Sequence, residues 1–309
     1  MFNLHAPHHR TLLAMAVLLG TCFLAATASA QVQIGIELKK KVYIQHGPVE
    51  AIIKIRNLAG RDVFLDNEPD RPWLSFRLKH ASGRMVPMLN PLLKFDPLLI
   101  ESGQVVKRKI DINRIFSMEM LGEYTLYADL FLLGSDRYIA SNREVFNLSR
   151  GREIWTRLLG VPESQSGGGE RRLVQIFTHR NVDRVYLWLK ISNPDGPQIY
   201  CMRKLGRYAS YANKVAVETD INNAIHVLHL AAPRTYINTV VDLNGELIQS
   251  QIYDERNSRP QLASRNGQVK VLGGSVRKAG DPVAGRPPSE VPRISDRPVD
   301  FQQSGPPGG

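Results

Sequence analysis

From Val32 to Leu148 apolar and polar positions alternate in short runs, the period of two that a half-buried β-strand requires. Ile34, Ile36 and Leu38 mark the first run, Val42 to Gln45 follows, and His46-Gly47-Pro48 turns the chain. Ala51, Ile53 and Ile55 carry one face of the next run, which stops at Asn57. Val63-Phe64-Leu65, Trp73 to Leu78, Val105 to Ile112, Tyr124 to Leu132 and Arg143 to Leu148 continue the series, with Ser82-Gly83 and Ser102-Gly103 as turn dipeptides. Strands at intervals of roughly ten to fifteen residues predict a β-sandwich. Pro87 to Leu99, rich in Leu and Pro, has no clear period and reads as a packed loop.

Gly151 to Gly160 reads as a short helix or a final strand that returns Trp155 and Leu158-Leu159 to the same core. Pro162 to Glu170 is polar and Gly-rich, a flexible linker by composition. Its triple glycine is not followed by Gly-Lys-Ser/Thr, so a phosphate cradle lacks its context. Strands are then expected at Leu173 to Thr178, Arg184 to Ile191, Gln198 to Lys204 and Gln268 to Leu272. Between the last two lies an antiparallel meander, from Val215 to Tyr253. Its runs Ile225 to Leu230, Tyr236 to Asp242 and Glu246 to Tyr253 are separated by Ala232-Pro233-Arg234 and Asn244-Gly245. Three turn-then-strand junctions place Val185, Ile225 and Val269 in equivalent positions, 40 and 44 residues apart. That spacing is within the range of four-stranded propeller blades.

Two resemblances follow. Glu50 to Arg56, Trp73 to Leu78 and Gly122-Glu123-Tyr124-Thr125-Leu126 resemble the B, C and F strands of an immunoglobulin-like sandwich of the kind common in exported bacterial proteins. The resemblance implies that Tyr124 is the corner tyrosine, bonded back to the backbone upstream, and that Leu126 replaces the second cysteine of antibody domains by apolar packing. The region from Arg171 to Val276 resembles a partial β-propeller of two to two and a half blades. The expected fold is therefore all-β: residues 31–160 an immunoglobulin-like β-sandwich, 161–170 a flexible linker, 171–276 a second antiparallel domain with blade-like repeats.

Composition changes this picture at both ends. Arg10 with His8 and His9, an apolar run from Leu12 to Ala26 and Ala28-Ser29-Ala30 read as a signal peptide over residues 1–30, cleaved before Gln31. The apolar run is shorter than the ~20 residues of a spanning helix, so no membrane span is expected after cleavage, with an uncleaved anchor or a lipoprotein at Cys22 as alternatives. The protein is thus expected in the periplasm or outside the cell. Residues 277–309 contain seven prolines and five glycines and bury too little to fold, a disordered tail. Cleavage would leave one cysteine, Cys201, which is expected either buried or paired between chains; no intrachain disulfide is then possible.

The formal net charge is +11. Between Gln31 and Pro162 there are 20 Lys/Arg against 15 Asp/Glu, from Glu163 to Val276 14 against 10, and beyond that 5 against 4, so no segment is a basic arm and nucleic acid is an unfavoured partner. His226 and His229 lie three apart on one expected strand and point to opposite faces, which rules them out as a chelating pair; no metal or cofactor motif is present. Nor is there a Gly-x-Ser-x-Gly or His-Glu-x-x-His. Asp220, Asp242 and Asp254-Glu255 at strand ends could serve a glycan- or peptide-directed enzyme, although Asp caps turns more often than it hydrolyses anything. Arg203, Lys204, Arg207, Tyr208 and Tyr211 mix base and aromatic and form the candidate contact surface. The sequence reads as an exported, non-catalytic binding or assembly protein whose partner is a protein or an envelope polymer, with the enzyme as the alternative and oligomer formation left open.

Overall fold

The computed structural model describes residues 32–91, 93–133, 136–164, 167–182, 184–212 and 215–278. The expected signal peptide and the tail beyond Lys278 lie outside these residues. What is described is almost entirely β, with mostly antiparallel sheets, and no helix in it is long and apolar enough to cross a membrane. The chain divides into two compact units between Arg150 and Gly151.

The first unit contains β1 (Val32–Leu38), β2 (Val42–Ile44), β3 (Glu50–Asn57), β4 (Val63–Leu65), β5 (Leu74–His80), β6 (Leu98–Ile100), β7 (Val105–Asp111), β8 (Gly122–Leu132), β9 (Arg137–Ala140) and β10 (Glu144–Ser149). One sheet has the order β1-β3-β7; the other runs β2-β10-β8-β5, with β9 also on β8, and β2 is parallel to β10. Alternation decides which side chains go inward. Val32, Ile34, Ile36 and Leu38 of β1, Ala51, Ile53 and Ile55 of β3, Leu74, Phe76 and Leu78 of β5, and Tyr124, Leu126, Ala128 and Leu130 of β8 meet in one core. Residues 87–99 are not wholly loop, because their end forms β6 and pairs with β4. Phe95 packs edge-on against Trp73 and Phe76, and the Trp73 indole donates to the Phe95 and Asp96 carbonyls at 3.2 Å. The Tyr124 hydroxyl donates to the Met120 carbonyl at 2.6 Å.

Asn57, at the end of β3, is fully buried and spends its amide on the loops around it. Its Nδ2 donates to the carbonyls of Arg61 and Ile100 at 2.8 and 2.9 Å, with that of Glu101 at 3.2 Å, and its Oδ1 accepts from Ala59 N–H. Four separate backbone groups, from the chain between β3 and β4 and from the end of β6, are thereby satisfied without water.

The second unit contains β11 (Arg152–Gly160), β12 (Arg171–Asn181), β13 (Arg184–Ser192), β14 (Ile199–Arg207), β15 (Val215–Thr219), β16 (Ile225–Ala232), β17 (Thr235–Val241), β18 (Leu247–Asp254), β19 (Gln261–Arg265), β20 (Gln268–Leu272) and β21 (Ser275–Val276). Two successive meanders result: β11-β12-β13-β14, and β15-β16-β17-β18 extended by β21. Their apolar faces meet in a core that includes Val174, Ile176, Leu187, Leu189, Ile191, Ile225, Val227 and Val241. The strand β11 differs from expectation, since Trp155 and Leu159 pack against this second core and not the first. The reason is its pairing with β12 over its whole length. The segment expected as a linker is accordingly the loop of that hairpin, closed by Val161 N–H to Glu170 O and Gly169 N–H to Val161 O. The three aligned junctions prove to be hairpin turns with a left-handed residue at Val182, Asn223 and Asn266.

Arg277, grouped with the tail by composition, is anchored. Its guanidinium forms a two-pronged ion pair with Asp254, which is 1% exposed, and also donates to Thr235 Oγ1.

Replacing Asn57 by Ala should cost the first unit about 2–4 kcal/mol, because the loop carbonyls lose their donor while remaining buried. Urea unfolding of Asn57→Ala followed by tryptophan fluorescence checks this; a loss below 1 kcal/mol would show that water replaces the amide.

Candidate functional site

Of the five residues of the candidate contact surface, Arg203, Lys204 and Arg207 lie on β14, Tyr208 directly follows it, and Tyr211 is in the short 3-10 turn Ser210–Ala212. Strand periodicity divides them. Arg203 stands opposite Leu189, on the core side, and Cys201 opposite Ile191 shares that side. Lys204 stands opposite Trp188 on the other face, and its ammonium sits 3.6 Å from the centre of the Tyr186 ring. Register slips between Lys204 and Gly206, and the extra residue, Leu205, enters the core. Arg207 and Tyr211 are exposed, whereas Tyr208 is buried in the core and its phenol is pushed up by that burial. The sequence cluster therefore contributes three outward groups, Lys204, Arg207 and Tyr211, and two that hold the fold, Arg203 and Tyr208.

What Arg203 holds is the β17–β18 turn. Its Nε and Nη2 donate to the Gly245 carbonyl at 3.2 and 2.8 Å. Beside it Cys201 Sγ lies 3.6 Å from the same oxygen, and burial raises the thiol pKa. A Cβ at Gly245 would stand 2.1 Å from Cys201 Cβ, and Gly245 has φ +88°, so both contact and backbone require glycine there.

The carboxylates proposed for chemistry are turn caps. Asp242 Oδ1 accepts from the N–H of Asn244 at 2.9 Å and of Glu246 at 2.7 Å. Asp220 Oδ1 does the same for Asn222 and Ala224, both at 2.9 Å. In each turn the Asp N–H also donates to the carbonyl four residues on, and its own carbonyl accepts from the residue three on. The two turns are one five-residue design, Asp-x-Asn-Asn/Gly-x, used twice at the same end of one sheet. Asp254 is taken by Arg277, whose hydrogen bonds first and charge second lower its pKa, and Glu255 accepts from the Tyr236 hydroxyl at 3.1 Å.

The histidines separate as strand geometry requires. His226 Nε2 lies 3.3 Å from Asp220 Oδ2. His229 is 1% exposed and its Nε2 lies 3.1 Å from the Arg207 carbonyl, which can only accept, so the proton is on Nε2. Nδ1 is then a bare acceptor with no partner among the described residues. Burial pushes the imidazole pKa down to about 4. Gly206, at φ +138°, lets the strand end pass over this ring: a Cβ there would lie 2.9 Å from Ile237 Cδ1 and 3.5 Å from His229 Nε2. Among the described residues no group of three His, Cys, Asp or Glu could hold a metal ion.

No protein-family model and no curated protein matches the chain. Among solved structures, the alkylpurine DNA glycosylase AlkC of Pseudomonas fluorescens, bound to DNA containing an abasic site analogue, aligns at 13% identity over 45% of this chain and 36% of that one, with a TM-score of 0.25. The sporulation control protein Spo0M of Bacillus subtilis aligns at 9% identity over 57% of this chain and 90% of that one, with a TM-score of 0.26. Likeness at this level carries nothing about fold or function.

Gly245→Ala should destabilise the second unit by about 2–4 kcal/mol, by collision with Cys201 and by left-handed strain; thermal melts should show the loss, and a shift under 2 °C would mean that the turn moves aside freely. His229 gives a pH signature. Its folded pKa lies below the ordinary ~6.5, so its contribution is complete above pH ~6.5 and declines as pH falls toward about 4, by roughly 2–4 kcal/mol in all. His229→Gln should flatten stability over that window relative to the parent protein; parallel curves would refute the neutral buried imidazole.

Proposed function

We propose that this is an exported, non-catalytic binding or assembly protein of the bacterial envelope or exterior, in the periplasm or outside the cell. It joins an immunoglobulin-like sandwich to a blade-like β unit. The first element of that reading is supported by the strand order β1-β3-β7 against β2-β10-β8-β5, by the parallel β2–β10 pair and by the Tyr124 hydroxyl on the Met120 carbonyl. The second is supported by two successive four-stranded antiparallel meanders, stacked as an open pair.

One observation carries the non-catalytic reading: Asp220, Asp242, Asp254 and His229, which an active site would need free, are each committed to turn N–H groups, a buried ion pair or a backbone carbonyl. Open sheets presenting outward side chains remain as the means of contact.

Expressed with its leader in a bacterial host, the protein should be recovered from the periplasm or medium with Gln31 as its first residue. Cytoplasmic retention with an intact N-terminus would remove the exported half of the proposal. Glycan or peptide turnover that disappears in a folded Asp220→Asn/Asp242→Asn variant would remove the non-catalytic half.

A further inference from the structure

The sequence contains two Asn-Gly pairs, Asn244-Gly245 and Asn266-Gly267, and both stand at hairpin turns. Such a pair is reactive because the backbone nitrogen of the following residue lies within reach of the asparagine side-chain carbonyl, and glycine has no Cβ to obstruct its approach. By sequence the two sites are equivalent. Their surroundings are not.

At Asn244-Gly245 the nitrogen that would attack is engaged. The Gly245 N–H donates to the Asp242 carbonyl at 3.1 Å, while the N–H groups of Asn244 and Glu246 on either side donate to Asp242 Oδ1. Both Arg203 bonds hold the Gly245 carbonyl, and Cys201 fills the space beside its Cα. Asn266-Gly267, by contrast, is the two-residue tip between the paired Arg265 and Gln268. Asn266 is exposed, φ is +52° there and +75° at Gly267 as in a type I′ hairpin turn, and the Gly267 N–H donates to no group among the described residues. The tip is tied to the rest of the unit by the bond from the Ile221 N–H to the Gly267 carbonyl, at 2.7 Å. The β19–β20 hairpin is a two-stranded sheet of its own, the least self-sufficient kind, so its tip opens more readily than a turn clamped by Arg203.

We infer that Asn266 is a site of spontaneous deamidation and that Asn244 is protected from it. The Gly267 nitrogen attacks Asn266 Cγ as its proton passes to solvent; the Cγ–Nδ2 bond breaks, and Nδ2 takes up a proton and leaves as ammonia. Water, the one co-reactant, then opens the resulting succinimide. Breaking the bond from nitrogen to Cγ gives aspartate in the ordinary main chain, and breaking the bond from nitrogen to the main-chain carbonyl carbon gives isoaspartate, with the chain routed through Cγ. Nothing is oxidised or reduced. Isoaspartate adds one carbon to the main chain inside a two-residue turn, which displaces the Gly267 carbonyl from the Ile221 N–H. The link from the hairpin to the turn after β15 is thereby lost, and with it part of what holds Leu262 and Val271 against Leu228, Leu230, Tyr236 and Tyr253. The change accumulates with the age of the molecule and does not depend on the proposed function.

The test holds the purified, folded protein in mildly alkaline buffer for weeks, then digests it in acid and separates aspartate from isoaspartate peptides by mass spectrometry. Asn266 should convert about tenfold faster than Asn244 or more, the ratio expected when one of two equal sites must first break its hydrogen bonds. In urea the two rates should converge. Arg203→Gln should speed conversion at Asn244 severalfold while Asn266 converts as in the parent protein; should that variant unfold, the folded-against-urea comparison on the parent chain still decides. In the aged protein the Ile221 amide should exchange its hydrogen faster, and in equally aged Asn266→Gln it should not. Equal rates at the two sites of the folded chain, faster conversion at Asn244, an Asn266 that stays intact, or a ratio that persists in urea would each overturn the inference.

Discussion

A β-sheet built from alternating residues has one face to bury, and the large sheets of this chain bury theirs in pairs; the β15-β16-β17-β18 sheet also covers part of its second face, where Leu228, Leu230 and Tyr236 meet Leu262 and Val271 of the β19-β20 hairpin. The first unit closes Ile53, Leu78 and Leu126 between two sheets of different strand order. The second does the same with two consecutive meanders, around Leu189 and Val227. Hydrophobic burial of this kind has no direction of its own. Direction comes from the polar groups that must be satisfied wherever the chain leaves a sheet: Asn57 in one unit, and Asp220, Asp242 and Arg203 in the other.

Those polar anchors also account for how the strand-end carboxylates are used. A carboxylate that accepts two backbone N–H groups fixes the turn that contains it, as Asp220 and Asp242 both do. His229 illustrates a different economy. Its ring fills space beneath Gly206 and donates one hydrogen bond, at the cost of an Nδ1 with no partner among the described residues. Such a group stabilises the fold only while it is neutral.

How much could be read from sequence depended on how cleanly each strand alternates. β1, β3, β5 and β8 have one face inside and one outside, and all were legible. β20 also fell at its expected bounds. β11 was ambiguous because both of its faces are largely exposed, leaving no period to recognise, and its pairing with β12 spans a loop whose composition is that of a linker. β9 and β19 are short and exposed or half-exposed, and were missed for the same reason. The candidate surface was legible as composition but not as geometry. Arg203, Lys204, Arg207, Tyr208 and Tyr211 are neighbours in sequence, and a strand with a bulge sends neighbours in opposite directions. The charged face of the β1-β3-β7 sheet had the opposite problem, since Glu37, Lys54 and Lys107 are far apart in sequence and only register brings them together.

Gly245 has a bearing on oxidation. Thiol–disulfide exchange needs an approach path and a thiolate, and Cys201 is poor in both: the turn lies against its sulfur, and burial disfavours its ionised form. The protection is supplied by a residue with no side chain, 44 positions away in sequence. A half-buried cysteine in this position is shielded from mixed disulfides by the way a hairpin is folded over it, so any substitution that lifts the turn also changes the reactivity of that thiol.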